Sequence, residues 1–188
     1  MWWPETRVLC RALRAAVVLS MAGLTAACFQ PMYGEHAFTG GGPGLREKFA
    51  SVEVLQIDAA NGSPAARLGV ELRNELLFKL QGGNGQLPPT HTLKIGLALS
   101  RSSIIVDVTT ARPDVENQGV DATYTLVETA TGKPVITGTT FARVSYDIPG
   151  QEQRFARSRG LRDAENRAAK VIAGHIQQRL ASYFVAGT

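Results

Sequence analysis

Few side chains in this 188-residue chain are equipped for covalent or metal chemistry: two cysteines and three histidines. His36, His91 and His175 are scattered, and none stands at metal-ligand spacing from another His or Cys. No Gly-x-Ser-x-Gly, His-Glu-x-x-His or Ser-x-x-Lys arrangement offers an activated nucleophile or a zinc-bound water. Gly132-Lys133 is followed by Pro134, where a phosphate loop needs Ser or Thr. Short of a site assembled from distant residues, the pattern points away from an enzyme, and it implies neither metal nor cofactor. The thiol of Cys28, directly after Ala26 and Ala27, is the group that remains.

What precedes Cys28 says what that thiol is for. Arg7, Arg11 and Arg14 stand against one acid, Glu5, and residues 15–27 then carry no charge. Thirteen uncharged, mostly apolar residues are short of the roughly 20 needed to cross a hydrocarbon core. A basic start, a short apolar run and small residues at the end describe a secretory leader over residues 1–27. The sequence before Cys28 resembles the bacterial lipobox, in which the cut falls before a Cys whose sulfur receives diacylglycerol; Thr25 stands where Leu is usual. A lipidated Cys28 gives stable membrane anchoring, at about 0.8 kcal/mol per buried methylene. The rival readings are a plain cut that leaves a free thiol, and an uncleaved anchor.

Without its leader the chain keeps 161 residues, enough for one domain. Three arginines and one acid leave with residues 1–27, so the formal charge falls from +4 to +2 and no nucleic-acid partner is implied. Cys10 leaves too, so the domain must rely on an apolar core rather than a disulfide. Residues 28–46 read as a lipidated N-terminus and flexible linker, with Thr39-Gly40-Gly41-Gly42-Pro43-Gly44 at its heart. Such a linker reaches about 23 Å.

The elements that position everything else lie in residues 47–188. Phe49, Val52, Val54, Leu55 and Ile57 predict a first strand. Ser63 as N-cap and Pro64 at the first position open a helix with a stripe of Leu68, Leu72, Leu76 and Leu80, broadened by Val70 and Leu77. Arg67–Glu71 and Glu75–Lys79 are at ion-pair spacing on it, and Gly82 closes it. Leu93 to Leu99 alternate apolar and polar; Arg101-Ser102-Ser103 interrupts, and the run resumes to Val108, which favours one bulged strand over two. Residues 110–118 are predicted as a loop, and 120–127 pairs with 135–144 across a hairpin loop at 129–134. The alternation predicts helices on one face of the sheet only. A last amphipathic helix runs through Leu161, Ala164, Ala168, Val171, Ile172, Ile176, Leu180 and Phe184, with His175 at the border of its stripe. Arg154, Arg157 and Arg159 are unfavourable at a helix start. Either the helix begins near Gly160, or the arginines meet something anionic.

The run Cys28-Phe29-Gln30-Pro31-Met32-Tyr33-Gly34 and the order of elements behind it resemble the LptE family of LPS-assembly lipoproteins. The resemblance implies an α+β two-layer sandwich, with two helices packed on one face of a four-stranded, mostly antiparallel, mixed sheet. It further implies an outer-membrane, periplasm-facing lipoprotein that plugs and helps assemble the LptD β-barrel and binds lipopolysaccharide. On charge and predicted placement, the candidate contacts for lipid phosphate are Lys94, Arg101, Lys133, Arg143, Arg154, Arg157 and Arg159. The alternative is a lipid-anchored binding or scaffold subunit of another envelope complex.

Overall fold

The computed structural model describes residues 44–82, 85–107, 112–148 and 154–186, without the side chains of 105–107, 112–114 and 154. All belong to the unit Pro43–Thr188; the leader and Cys28 lie outside the described residues.

Leu45 and Phe49, four residues apart, share one side of a helical turn. They anchor α1 (Leu45–Ala50), each only 3% exposed. Phe49, expected in the first strand, therefore belongs to a helix, and the strand β1 shrinks to Val52–Val54. The helix α2 (Pro64–Gln81) has the boundaries its sequence prescribes. Ser63 accepts a hydrogen bond from the Ala66 amide at 3.1 Å, and Gly82 closes the helix at φ 58°, a conformation that Gly adopts without penalty. Leu68, Leu72, Leu76 and Leu80 are fully buried. Val70, by contrast, faces outward, because the broader side of the stripe is not covered.

The sheet has the order β1-β2-β3-β4. β1 runs parallel to β2 (His91–Asp107), and β2, β3 (Arg112–Glu128) and β4 (Pro134–Asp147) form an antiparallel meander. β2 is one strand, as the alternation favours, but its register shifts fall at Ile104–Asp107 rather than at Arg101–Ser103. Residues 112–118, predicted as loop, belong to β3. Pro113 is accommodated at a register shift, where a missing N–H costs least. The β3–β4 hairpin turns through Gly132 at φ 67°.

Pairing register divides the sheet into two faces. Leu93 and Ile95 of β2, with Val120, Ala122, Tyr124 and Leu126 of β3 and Ile136 and Ala142 of β4, enter one core with both long helices. The opposite face carries Lys94, Gly96, Ala98, Ser100, Thr123, Thr125, Thr137 and Thr139, small or polar side chains that no helix covers. The helix α3 (Arg154–Ala186) lays Ala164, Ala168, Ala169, Ile172, Ala173, Ile176, Leu180 and Ala181 against the sheet and α2. Val171 is exposed, and His175 bonds Thr140 rather than packing in the core. Arg67 turns to α3 instead of Glu71: its Nε and Nη2 donate to the buried Glu165 carboxylate at 3.0 and 2.9 Å.

Candidate functional site

The chain enters the fold at one end and has its densest basic cluster at the other, and the two ends are built differently. At the entry end, the last turn of α3 meets α1 and the start of β2. The Phe49 and Phe184 rings lie 6.1 Å apart edge to face, and His91 stands 5.2 Å from Phe184 and 6.4 Å from Tyr183. Lys48 Nζ donates to the Phe184 carbonyl at 3.0 Å, which satisfies one of the orphan carbonyls of the helix end. Burial pushes the His91 pKa below its ordinary value, a shift that the Glu128 carboxylate partly offsets. A cleft of about 650 Å³ opens here between Glu47, Leu87, His91, Glu128 and Phe184.

At the distal end the inward positions of β3 turn from apolar to polar: Gln118 and Glu116 follow Val120 on the helix-facing side. Each is nonetheless buried and satisfied. Gln118 Oε1 accepts from Arg101 Nε at 3.1 Å, and its Nε2 donates to the Gly119 carbonyl at 3.1 Å. Glu116, 8% exposed, accepts from the hydroxyl of its cross-strand neighbour Tyr146 and from Arg157 Nη2, the latter at 3.0 Å. Burial and the Glu116 carboxylate together push the Tyr146 pKa up to about 12, because both disfavour a phenolate. Arg157 thereby gains a carboxylate partner, which offsets its unfavourable place in the first turn of α3. The helix consequently starts at Arg154 and not near Gly160.

The structure separates the seven basic candidates. Lys133 lies in the hairpin loop at the entry end, and Lys94 follows three residues into β2 on the uncovered face. Arg101 is ten residues beyond the start of β2, roughly 33 Å away at strand rise. Arg143 is on the uncovered face, where both Asp121 carboxylate oxygens accept from Nη2 at 3.0 and 3.1 Å and the Phe141 ring centroid lies 5.4 Å from the guanidinium. Arg101, Arg157 and Arg159 share the distal end; the Arg154 side chain lies outside the described ones. Arg101, Arg143 and Arg157 already hold protein partners. Among the described residues Lys94, Lys133 and Arg159 make no ion pair.

The sequence reading missed Phe155, the most exposed large apolar side chain described, at 85%. A helical projection from Arg154 onward would have placed it beside Arg159 and Arg162, opposite Arg157. Among the described residues no three His, Cys, Asp or Glu side chains gather as a metal site, and no helix is long and apolar enough to cross a membrane.

The family model for LptE, lipopolysaccharide-assembly, matches residues 49–180, from α1 into the last turns of α3. No curated protein matches the sequence at a significant level. Among solved structures the chain is similar to a protein from Caulobacter crescentus CB15, at 22% identity and TM-score 0.59 over 77% of this chain and 97% of that one. It is also similar to rare lipoprotein B from Shewanella oneidensis, at 17% identity and TM-score 0.51 over 72% and 96%.

Proposed function

We infer the function from a plain premise: the chain belongs to the LptE lipopolysaccharide-assembly family. It is an outer-membrane lipoprotein, held by lipid on Cys28 and facing the periplasm. It seats in an LptD-like β-barrel, helps that barrel assemble, and binds lipopolysaccharide during delivery to the outer leaflet. The observation that carries this reading is the family match across the whole sheet and nearly all of both long helices.

The architecture is compatible with such a role. A domain that sits inside a barrel presents a sheet face to its wall, and the uncovered face carries Gly, Ala, Ser and Thr together with Lys94, Phe141 and Arg143. Lipid phosphates call for Lys and Arg that are not spent internally, and Lys94, Lys133 and Arg159 make no ion pair among the described residues. No catalytic step is assigned.

Affinity capture of tagged full-length protein from outer membranes tests the reading. Recovery of an outer-membrane β-barrel is expected, together with reduced surface lipopolysaccharide when the protein is depleted. Capture of a different envelope complex, with lipopolysaccharide unchanged, would overturn it. Mass spectrometry of the same material should find an acylated Cys28 as the first residue; an unmodified thiol there would sink the anchor.

A further inference from the structure

We propose that the cleft at the entry end is a binding site for a small organic cation, a protonated amine carried on an apolar body. The site is at the other end of the domain from the basic cluster, and it does not depend on lipopolysaccharide binding.

The cleft follows from how the chain crosses from α2 to β2. Residues 85–90 form neither helix nor strand, and the Pro88-Pro89 pair has no N–H to offer the sheet. The crossing is pinned at two points instead: the Leu87 amide donates to the Ala50 carbonyl at 3.0 Å, and the Thr90 amide to the Ser51 carbonyl at 2.9 Å. Leu87, Pro88, Tyr183 and Phe184 supply the apolar part of the lining. Its rings pack on one another as a wall: the Tyr183 and Phe184 centroids are 5.4 Å apart, and the His91 ring meets Phe184 at 81°. At about 650 Å³ the cleft has the size of a small-molecule site, and an apolar wall beside a few polar groups is the usual make-up of one.

The hydroxyls in the cleft are already spent. Ser51 Oγ donates to the Lys48 carbonyl at 2.8 Å and lies 2.8 Å from Thr90 Oγ1, which in turn lies 2.9 Å from His91 Nδ1. Two carboxylates remain: Glu47 from α1, and Glu128 from the end of β3, the strand partner of His91. Neither is in an ion pair among the described residues, and Glu128 accepts one hydrogen bond, from Thr131 at 2.7 Å. The lining ammonium of Lys48 reaches the Phe184 carbonyl, where a cation suits the end of α3. Burial holds the His91 pKa below its ordinary value, so that ring adds no charge at neutral pH. Lys133, across the hairpin, gives Glu128 its backbone carbonyl and makes no ion pair. Two carboxylates against one ammonium leave the described lining with a negative surplus. The stretches that join this end in sequence, 28–43, 83–84 and 187–188, contain no Lys or Arg to offset it.

That combination selects among ligands. An anion is repelled by both carboxylates, and a neutral apolar molecule gains from the wall alone. A protonated amine on an apolar body uses both parts. Its N–H groups donate to Glu47 or Glu128 as charge-assisted hydrogen bonds, its body packs on Leu87 and Phe184, and ring faces favour a nearby cation.

The test uses full-length protein in detergent micelles, with fluorotyrosine in place of tyrosine and fluorine NMR as the readout. Tyr183 lines the cleft, whereas Tyr124 and Tyr146 are buried elsewhere in the sheet and report on the fold. The probes are phenethylammonium and phenethyl alcohol, alike in body and different in charge. Phenethylammonium is expected to shift the Tyr183 signal, assigned by Tyr183→Phe, saturably and with about tenfold higher affinity than the alcohol. The double substitution Glu47→Gln, Glu128→Gln should lower the affinity for the amine about tenfold, with the alcohol unaffected and the Tyr124 and Tyr146 signals in place. Equal affinity for the two probes would reduce the site to an apolar groove without charge selection and overturn the proposal. Unchanged amine binding by the double variant, or no saturable shift of Tyr183 at millimolar amine, would overturn it as well. None of these outcomes bears on lipopolysaccharide binding, which capture from outer membranes tests separately.

Discussion

The two ends of α3 are held by opposite means. Near Phe184 the helix is fixed by apolar area: ring edges, buried leucines and one lysine on a terminal carbonyl. Near Arg157 it is fixed by a carboxylate that has left water for two hydrogen-bond donors. Apolar packing tolerates swaps that conserve volume, and its loss scales with the cavity left behind. A buried carboxylate depends on each of its few partners, so its removal leaves the others stranded. The entry end is thus a graded fastening, and the distal end an all-or-none one.

The largest effect should come from the apolar side. Leu180→Ala, at a fully buried position, is expected to cost about 2–5 kcal/mol in denaturant unfolding. Glu116→Ala should cost less, about 1–3 kcal/mol, because Arg157 is half-exposed and can turn to water. Its signature is local: amide exchange should rise in residues 155–160 and stay unchanged near Phe184. A uniform loss of protection would erase the contrast between the ends.

Smaller effects separate the ends by pH. Tyr146 has a folded pKa near 12, above its unfolded value near 10. Its contribution to stability is therefore complete below pH 10 and is lost as pH rises towards 12. Tyr146→Phe should flatten that alkaline slope in urea titrations. His91 behaves in the opposite sense. Its folded pKa is lowered, so its contribution is present above the unfolded value near 6.5 and is lost as pH falls below it. His91→Gln should shrink the acid slope, with Glu47, Lys48 and Glu128 still facing the site. The two substitutions exchanging their pH ranges would refute the assignment of one titrating group to each end.

The same contrast explains what the sequence made legible. α2 was readable to its last residue, since Ser63, Pro64, four leucines and Gly82 are all local signals. The paired strands 120–127 and 135–144 were readable from alternation, because their inward residues are apolar. Residues 112–118 continue that alternation, but with Glu116 and Gln118 inward, and polar inward residues look like a loop until their partners are known. The partners of Glu116, Tyr146 and Arg157, are 30 and 41 residues away, and Arg101, which bonds Gln118, is 17 away. The start of α3 was hidden for the same reason. Phe49 misled because an isolated turn beside a strand has too few residues to show a period. Among the basic candidates, charge alone could not tell Arg143, spent on Asp121, from Lys94.

The topology also sets an order in time. β2, β3 and β4 follow one another in both sequence and space, so their pairing closes through local turns. β1 reaches β2 only after the 36 residues from Leu55 to Thr90 have come round, and it brings three residues when it arrives. Closing a loop of that length costs chain entropy that three strand residues barely repay. Val52 and Val54 recover it by entering the core beneath α2, so β1 should form only once that helix has docked. In pulse-labelled refolding, the amides of β3 and β4 are expected to gain protection first and those of Val52–Val54 last. Until that final step the outer edge of β2 stays open. A newly made chain therefore passes through a stage in which its strands are most available to each other's neighbours, and to any partner that captures edges.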